Sequence, residues 1–246
     1  MMRRPLHISA QDLLRQANAN EKDFAPFVLV SGQAHRVKLC LEYLDDAKKV
    51  FSFMGYTFFS GTYKGVPITV GNAGLYSPDT ALMTELLCTL GVDCLIRLGS
   101  CGALREDISI GDIVVARSAL RGEGVTRYYV EDDYNAMATE EITECVMKTF
   151  SSKENIYRGT VWTTDALLKE TPEVINPVIK QGAIAVDMVT SAFFTVASCY
   201  KKKCASLLVV SDNLITGEMG FGKDAFFIGQ KRMIETALEA AQDMRL

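Results

Sequence analysis

The chain has 246 residues, 48% of them apolar, and a formal net charge of −4, so it is long enough to bury a sizeable core and fits one large domain. Acidic and basic residues are interspersed, which leaves no basic stripe for nucleic acid or an anionic membrane and favours a small-molecule ligand. Seven cysteines without CxxC spacing and only two histidines, His7 and His35, point to reduced thiols in a cytoplasmic protein and away from a metal site.

The N-terminus, MMRRPLHISAQDLL, lacks an apolar core of signal-peptide length, and no later window reaches ~18 uninterrupted apolar residues, so neither a leader nor a membrane span is expected. Apolar or β-branched runs predict strands at 27–32, 66–74, 94–100, 112–120, 182–188 and 205–212. Apolar residues recur at helical spacing over 78–91, 190–203 and 223–243 and predict helices there. The polar stretch 121–156 reads as a loop and then a helix, placed to cover a pocket; Glu123, Arg127, Tyr128 and Tyr129 are its lid candidates, or simply face solvent. This alternation favours a mixed α/β sheet covered by helices. Several strands end in Gly, Ser or Asp, as at Ser31-Gly32, Gly99-Ser100 and Ser211-Asp212. Ligands collect at that edge of α/β sheets, so separate strand ends are expected to build one pocket.

Arg97, inside an apolar strand that ends in Gly99-Ser100-Cys101-Gly102, is the strongest chemical signal. A buried guanidinium is costly unless an anion or a carboxylate meets it, so the segment is either an oxyanion pocket or a structural Arg–carboxylate pair. Gly32-Gln33-Ala34-His35-Arg36 repeats the logic after strand 27–32, with an arginine one turn into a helix; His35 there is expected to face solvent. Asp212 of Ser211-Asp212-Asn213 lies where a buried strand opens, either as a proton donor or as a helix cap. Asp187 reads as a cap for the helix through 191–198. Met188 by itself reads as a core residue.

Taken in order, Pro5-Leu6-His7-Ile8, the turn at 32–36, Gly61-Thr62-Tyr63-Lys64-Gly65, IRLGSCGAL, Gly111-Asp112-Ile113-Val114-Val115, VDM at 186–188 and VVSDN at 209–213 resemble the nucleoside phosphorylase family. That family includes hexameric purine nucleoside phosphorylases, uridine phosphorylases and bacterial-type methylthioadenosine phosphorylases. The resemblance covers nearly the whole chain and implies one α/β domain over 1–246, with a central mixed β-sheet, distorted and barrel-like, surrounded by helices. It implies phosphate binding by Gly32, Arg36, Arg97 and Ser100, base contacts from Cys101 and Gly102, and Met188 packed on the ribose. His7 would reach the sugar of a neighbouring subunit, and Asp212 would protonate purine N7. The implied reaction is reversible phosphorolysis to free base and ribose 1-phosphate, with inorganic phosphate as co-substrate and no metal or organic cofactor. A closed homo-oligomer, a dimer assembled into a trimer of dimers, is the matching expectation.

The same comparison marks departures. Gln33-Ala34 replaces an Asp-Pro, and Met54 stands where an arginine crosses between subunits to the phosphate. Val189 replaces a glutamate that clamps the ribose hydroxyls, a task for which Glu123 is a candidate substitute. Leu167 and Leu168 fall where aromatic residues stack on the base, and the arginine that assists the proton-donating aspartate has no counterpart around Lys223 to Phe227. VVSDN favours a purine, whereas TTDALLKET at 163–171 resembles uridine phosphorylases. A uridine phosphorylase, a hydrolytic nucleosidase and a catalytically silent nucleoside-binding relative are the alternatives.

Overall fold

In the computed structural model, which describes residues 7–150 and 155–244, Pro5 and Leu6 of the N-terminal motif lie outside the described residues. The expected strands are present as β1 (Phe27–Ser31), β4 (Val66–Asn72), β5 (Cys94–Ala103), β6 (Ile113–Gly122), β9 (Ala183–Asp187) and β10 (Lys203–Asn213). The expected helices are α3 (Ser77–Thr89), α6 (Thr190–Cys199) and α7 (Asp224–Met244). Three further strands fall outside the apolar runs: β2 (Asp45–Phe53), β3 (Tyr56–Tyr63) and β8 (Ile156–Thr164). Short β7 (Ala136–Met137) and β11 (Glu218–Met219) and helices α1 (Ala10–Gln16), α2 (Ala34–Leu41), α4 (Glu140–Thr149) and α5 (Pro172–Lys180) complete the described fold.

All but β7 follow the order β11-β10-β6-β8-β9-β5-β1-β4-β3-β2, and a further β5–β10 pairing closes β10, β6, β8, β9 and β5 into a ring. The expected mixed, barrel-like sheet is therefore present. β1, β4, β3 and β2 run outward from the ring as an open wing. Inside the sheet, β1 is buried throughout and β10 nearly so, which is why both read as continuous apolar runs. β2 is the outer edge, exposed over its first five residues. Its Asp45-Asp46 and Lys48-Lys49 leave no apolar alternation to find, and charged residues are a usual defence of an open edge.

The stretch 121–156 departs from expectation. Its first two residues finish β6, a 3₁₀ turn spans Thr126–Tyr128, and α4 packs against α7 rather than over a pocket. Tyr129 donates its hydroxyl hydrogen to Glu85 on α3. The Glu123 carboxylate accepts hydrogen bonds from Val125 N, Thr126 N and the Ser191 hydroxyl. The segment is a strut for the helices and not a lid.

Local signals explain the element starts near the site. In α1, Ser9 and Asp12 cap each other reciprocally, satisfying two otherwise orphaned N–H groups. Ahead of α6, the Asp187 carboxylate accepts from Thr190 N at 3.0 and 3.1 Å, so the capping reading of Asp187 holds.

α7 seats on the turn before β6 through two glycines. Gly111 has φ +86°, a Cβ on it would come within 2.2 Å of the Ala225 carbonyl oxygen, and a Cβ on Gly229 would come within 2.2 Å of the Gly111 carbonyl oxygen. Backbone atoms on both sides leave nothing soft to yield. Gly229→Ala is expected to cost about 1–3 kcal/mol by overpacking, read as a fall of several degrees in the thermal midpoint; an unchanged midpoint would show that α7 seats differently.

Candidate active site

The C-terminal ends of β1, β5, β9 and β10 meet around one cavity of about 340 Å³, lined among others by Gly32, Arg36, Arg97, Ser100, Asp187 and Asp212. That volume suits a nucleoside-sized ligand. Separate strand ends thus build one pocket, as the sequence predicts.

Arg36 is 1% exposed. Its Nε donates to Gln230 Oε1 at 3.1 Å, Nη1 to the Leu98 carbonyl at 3.0 Å, and Nη2 to Ser100 Oγ at 2.7 Å. All these acceptors are neutral. Burial, and next the charge of Arg97, pushes Arg36 down to about 10, so the group remains a cation at neutral pH.

Arg97 is 6% exposed, and burial depresses its pKa against the opposing charges of Asp187 and Asp79. Its Nε lies 3.9 Å from Asp187 Oδ2, beyond hydrogen-bond reach, and that buried nitrogen has no hydrogen-bond partner among the described residues. Asp187 is meanwhile taken by Thr163 Oγ1 at 2.8 Å and Thr190 Oγ1 at 2.6 Å, besides Thr190 N. The structural-pair reading of Arg97 is therefore met only as a long-range attraction. Two guanidinium groups face one cavity, and Asp187, the carboxylate in ion-pair range of Arg97, is already bonded elsewhere.

Asp212 owes its place to a bulge. Val210 pairs with Cys101 and Asp212 with Gly102, so Ser211 is an extra residue that re-aims the strand. Ser211 donates its hydroxyl hydrogen to Asp212 Oδ1 at 2.7 Å, while a Cβ on Gly102 would come 2.9 Å from Oδ2. The turn that follows is held by Asn213, whose Oδ1 accepts from Ile215 N and Thr216 N. The capping reading thus belongs to Asn213 and not to Asp212. Cys101 is buried and its thiol is pushed far up, first by burial and then by Asp187 and Asp212, which excludes a thiolate at neutral pH. Gly32 must be glycine for packing alone, because a Cβ there would meet the Gly74 carbonyl oxygen at 2.7 Å.

The cavity wall also holds Gln33 and Val186 from the motifs at 32–36 and 186–188, and residues that no sequence signal marks for function: Leu75, Glu170, Met219 and Phe221. Glu170 sits between the 3₁₀ turn Leu167–Lys169 and the proline that opens α5, where an acidic residue reads as helix-terminus decoration. Phe221 lies in a glycine-flanked turn that reads as a linker.

The model of the phosphorylase superfamily matches residues 26–241. The chain belongs to that superfamily. It is similar to the DeoD-type purine nucleoside phosphorylase of Colwellia psychrerythraea, 36% identical over 219 residues that cover 86% of this chain and 88% of the relative. The DeoD-type enzyme of Mannheimia succiniciproducens is 32% identical over 91% of this chain and 95% of its own. Among solved structures, a uridine phosphorylase from Vibrio fischeri superposes with a TM-score of 0.83 at 28% identity, over 91% of this chain and 94% of the other. A purine nucleoside phosphorylase from Toxoplasma gondii, solved with immucillin-H, has the same fold, with a TM-score of 0.85 at 21% identity over 92% of this chain and 93% of its own.

The departures have definite places. Met54 has φ +51° in the β2–β3 hairpin turn and is exposed, away from the cavity lining. Val189 is fully buried ahead of α6 and does not line the cavity. Glu123, its candidate substitute, is committed to the 125–126 turn and Ser191, so it does not replace the clamp. His7 and His35 are exposed and neither lines this chain's cavity. Met188 does line it, beside Asp187, and Cys101 and Gly102 do so from β5.

Burial, and next the charge of Asp212, pushes Glu170 up to about 7. Ordinary glutamate titrates near ~4.3 in an unfolded chain, so between those values the unfolded chain ionises first and stability falls as pH rises. Below that window both states are protonated and the penalty is absent. Glu170→Gln removes the titration: its thermal midpoint relative to wild type is expected to climb between about pH 4.5 and pH 7 and level off above, and a gap independent of pH would place Glu170 in open solvent.

Proposed function

We propose that the protein is a nucleoside phosphorylase that cleaves purine nucleosides with inorganic phosphate to give free base and ribose 1-phosphate. The observation that carries this reading is the pair of buried guanidinium groups, Arg36 and Arg97, turned to one cavity that Asp212 also lines. An anion between them relieves the cost of two cations held out of water, and Ser100 adds a neutral hydroxyl donor or acceptor. The base preference draws on the relatives named purine nucleoside phosphorylases and on the carboxyl of Asp212.

In the reaction, a phosphate oxygen held by Arg36 and Arg97 forms the new bond to C1′ as the C1′–N9 bond breaks with its electron pair moving into the base. Protonated Asp212 delivers its proton to N7, so the base leaves neutral, and the carboxylate is reprotonated from solvent. The sugar passes through an oxocarbenium-like state, which the bound phosphate stabilises electrostatically as well as attacks. Met188 packs against the sugar. This chemistry calls for no metal or organic cofactor.

His7, exposed and outside its own cavity, serves a neighbouring subunit's sugar in this reading, which requires a closed homo-oligomer such as a trimer of dimers. No described helix is long and apolar enough to cross a membrane, and the unpaired cysteines fit a cytoplasmic setting.

Base release from inosine or adenosine is expected only with phosphate present; an equal rate in phosphate-free buffer would make the protein a nucleosidase, and no release at high enzyme concentration would make it a binding relative. Arg97→Ala is expected to raise the KM for phosphate by about tenfold or more, since a charged hydrogen bond contributes ~1.5–3 kcal/mol. Asp212→Asn is expected to lower kcat by about 10²–10⁴-fold with little change in the KM for phosphate. Unaltered phosphate dependence in Arg97→Ala would remove the assignment of the cavity.

A further inference from the structure

No motif in the sequence marks Gln230, yet it holds one of the two guanidinium groups at the cavity. It is 2% exposed and sits on α7, 194 residues from Arg36 along the chain. Arg36 Nε donates to its Oε1 at 3.1 Å; an arginine nitrogen can only donate, so the amide must present its oxygen there. The place of Gln230 is set by its neighbour Gly229, which packs on Gly111 with no room for a Cβ.

A guanidinium is planar, so fixing two of its nitrogens fixes how it lies. Gln230 holds Nε, while the Leu98 carbonyl at 3.0 Å and Ser31 Oγ at 3.4 Å hold Nη1. Nη2 meets only Ser100 Oγ, at 2.7 Å, among the described residues. The internal bonds thus occupy Nε and Nη1 and leave Nη2 with a hydrogen to turn to a ligand, beside the Ser100 hydroxyl. Gln230 does this from outside the cavity lining. The chemistry of the acceptor matters as much as its place. A carboxylate at 230 would make the same bond and an ion pair besides, strengthening the hold on Arg36 while cancelling the charge that attracts an anion. An amide directs the group and leaves its charge uncompensated. Carboxylates do stand nearby: Glu42 lines a second cavity, of about 210 Å³, that Gln230 also lines, and Glu235 on α7 accepts from Tyr43. Neither bonds to Arg36.

We propose that Gln230 is a positioning residue for phosphate: from α7 its amide oxygen sets the plane of the Arg36 guanidinium through Nε, and its neutrality keeps the arginine's full charge for the anion. Gln230 touches no substrate and acts only through Arg36. The inference rests on the phosphorolysis reading for what the anion does, but it concerns anion affinity, which binding alone can measure.

The test is calorimetric titration of wild type, Gln230→Glu and Gln230→Met with inorganic phosphate, alongside the thermal midpoint in phosphate-free buffer and the steady-state KM for phosphate. Gln230→Glu keeps the acceptor and adds a charge: its midpoint is expected at or above that of wild type, while its Kd for phosphate rises about tenfold or more. Gln230→Met keeps the bulk and removes the acceptor: its Kd is expected to rise about threefold or more, with a lower midpoint. In both variants KM for phosphate is expected to follow Kd, and kcat at saturating phosphate to move far less. A merely structural side chain would shift the midpoint and leave the Kd of the folded protein where it was. Phosphate affinity unchanged in either variant therefore overturns the assignment, as does a loss confined to kcat. Should Gln230→Glu not fold, the Kd of Gln230→Met still decides. If wild type binds phosphate but releases base equally fast without it, the phosphorolysis reading falls while the Kd comparison still decides on Gln230. If wild type binds no phosphate, both readings fall.

Discussion

Two guanidinium groups held out of water, with the carboxylate nearest Arg97 already bonded elsewhere, constrain everything else in this molecule. Taking a charge out of water costs several kcal/mol even after relaxation, and neither Arg36 nor Arg97 recovers it through a hydrogen-bonded ion pair among the described residues. Arg36 is tied down by neutral acceptors from three separate elements: Gln230 on α7, Leu98 and Ser100 on β5. Those contacts fix its direction without cancelling its charge. A protein that wanted only stability would place a carboxylate where Ser100 stands. The cost is tolerable because the ring closure of β5 on β10 gives the strand that carries Arg97 partners on both sides, so that Arg97 sits on backbone held by both neighbours.

The acidic side chains divide their work accordingly. Asp187 serves the helix behind it, saturated by Thr163 and Thr190, and acts on Arg97 only through space. Asn213 takes the turn after β10, which leaves its neighbour Asp212 with a single hydroxyl partner. Capping and proton transfer ask opposite things of a carboxylate: a cap is best ionised and fully bonded, a proton donor must keep an oxygen open and its acid form accessible. With the cap carried by Asn213 and a bulge at Ser211 that brings Asp212 to the cavity, Asp212 keeps the open oxygen that the proposed proton transfer asks for.

Legibility in the sequence follows the same physics. The strands buried on both faces, β1, β5 and β10, announce themselves as apolar runs, and Arg97 and Asp212 stand out there because a charge in such a run demands a reason. The β2–β3 hairpin is hidden because its outer strand is charged and solvent-facing, and β8 because Arg158 and Gly159 interrupt its apolar residues. α5 carries Pro177 in its interior, which argues against a helix on any local reading. Glu123 looks like a free acid at the mouth of a pocket, yet its sequence neighbours at 125 and 126 consume it. Glu170 looks like an ordinary helix-terminal acid, and only the folded chain brings it into the cavity wall that Asp212 also lines.

The departures from the family pattern fall unevenly, and the reason is chemical. All four positions that match the phosphate motifs, Gly32, Arg36, Arg97 and Ser100, reach the cavity; on the phosphate side Gln33-Ala34 and Met54 depart from the pattern, and the other changes fall at the sugar and the base. Binding a compact, doubly charged oxyanion asks for fixed donors at fixed distances, and few residue types other than arginine supply a planar fork. Covering the face of a base asks mainly for apolar area, which many positions can supply. Here Leu168 stands 90% exposed at the rim where an aromatic ring is expected, while Phe221, 59% exposed, enters the wall from the turn after β11. Phe221 packs on Phe226 at 5.8 Å, and Phe226 on Phe227 at 5.7 Å, so the ring at the wall is braced by α7 rather than left loose on its turn. The wall thus has an aromatic face from a segment other than the 167–168 turn, while Arg36 and Arg97 remain its guanidinium groups.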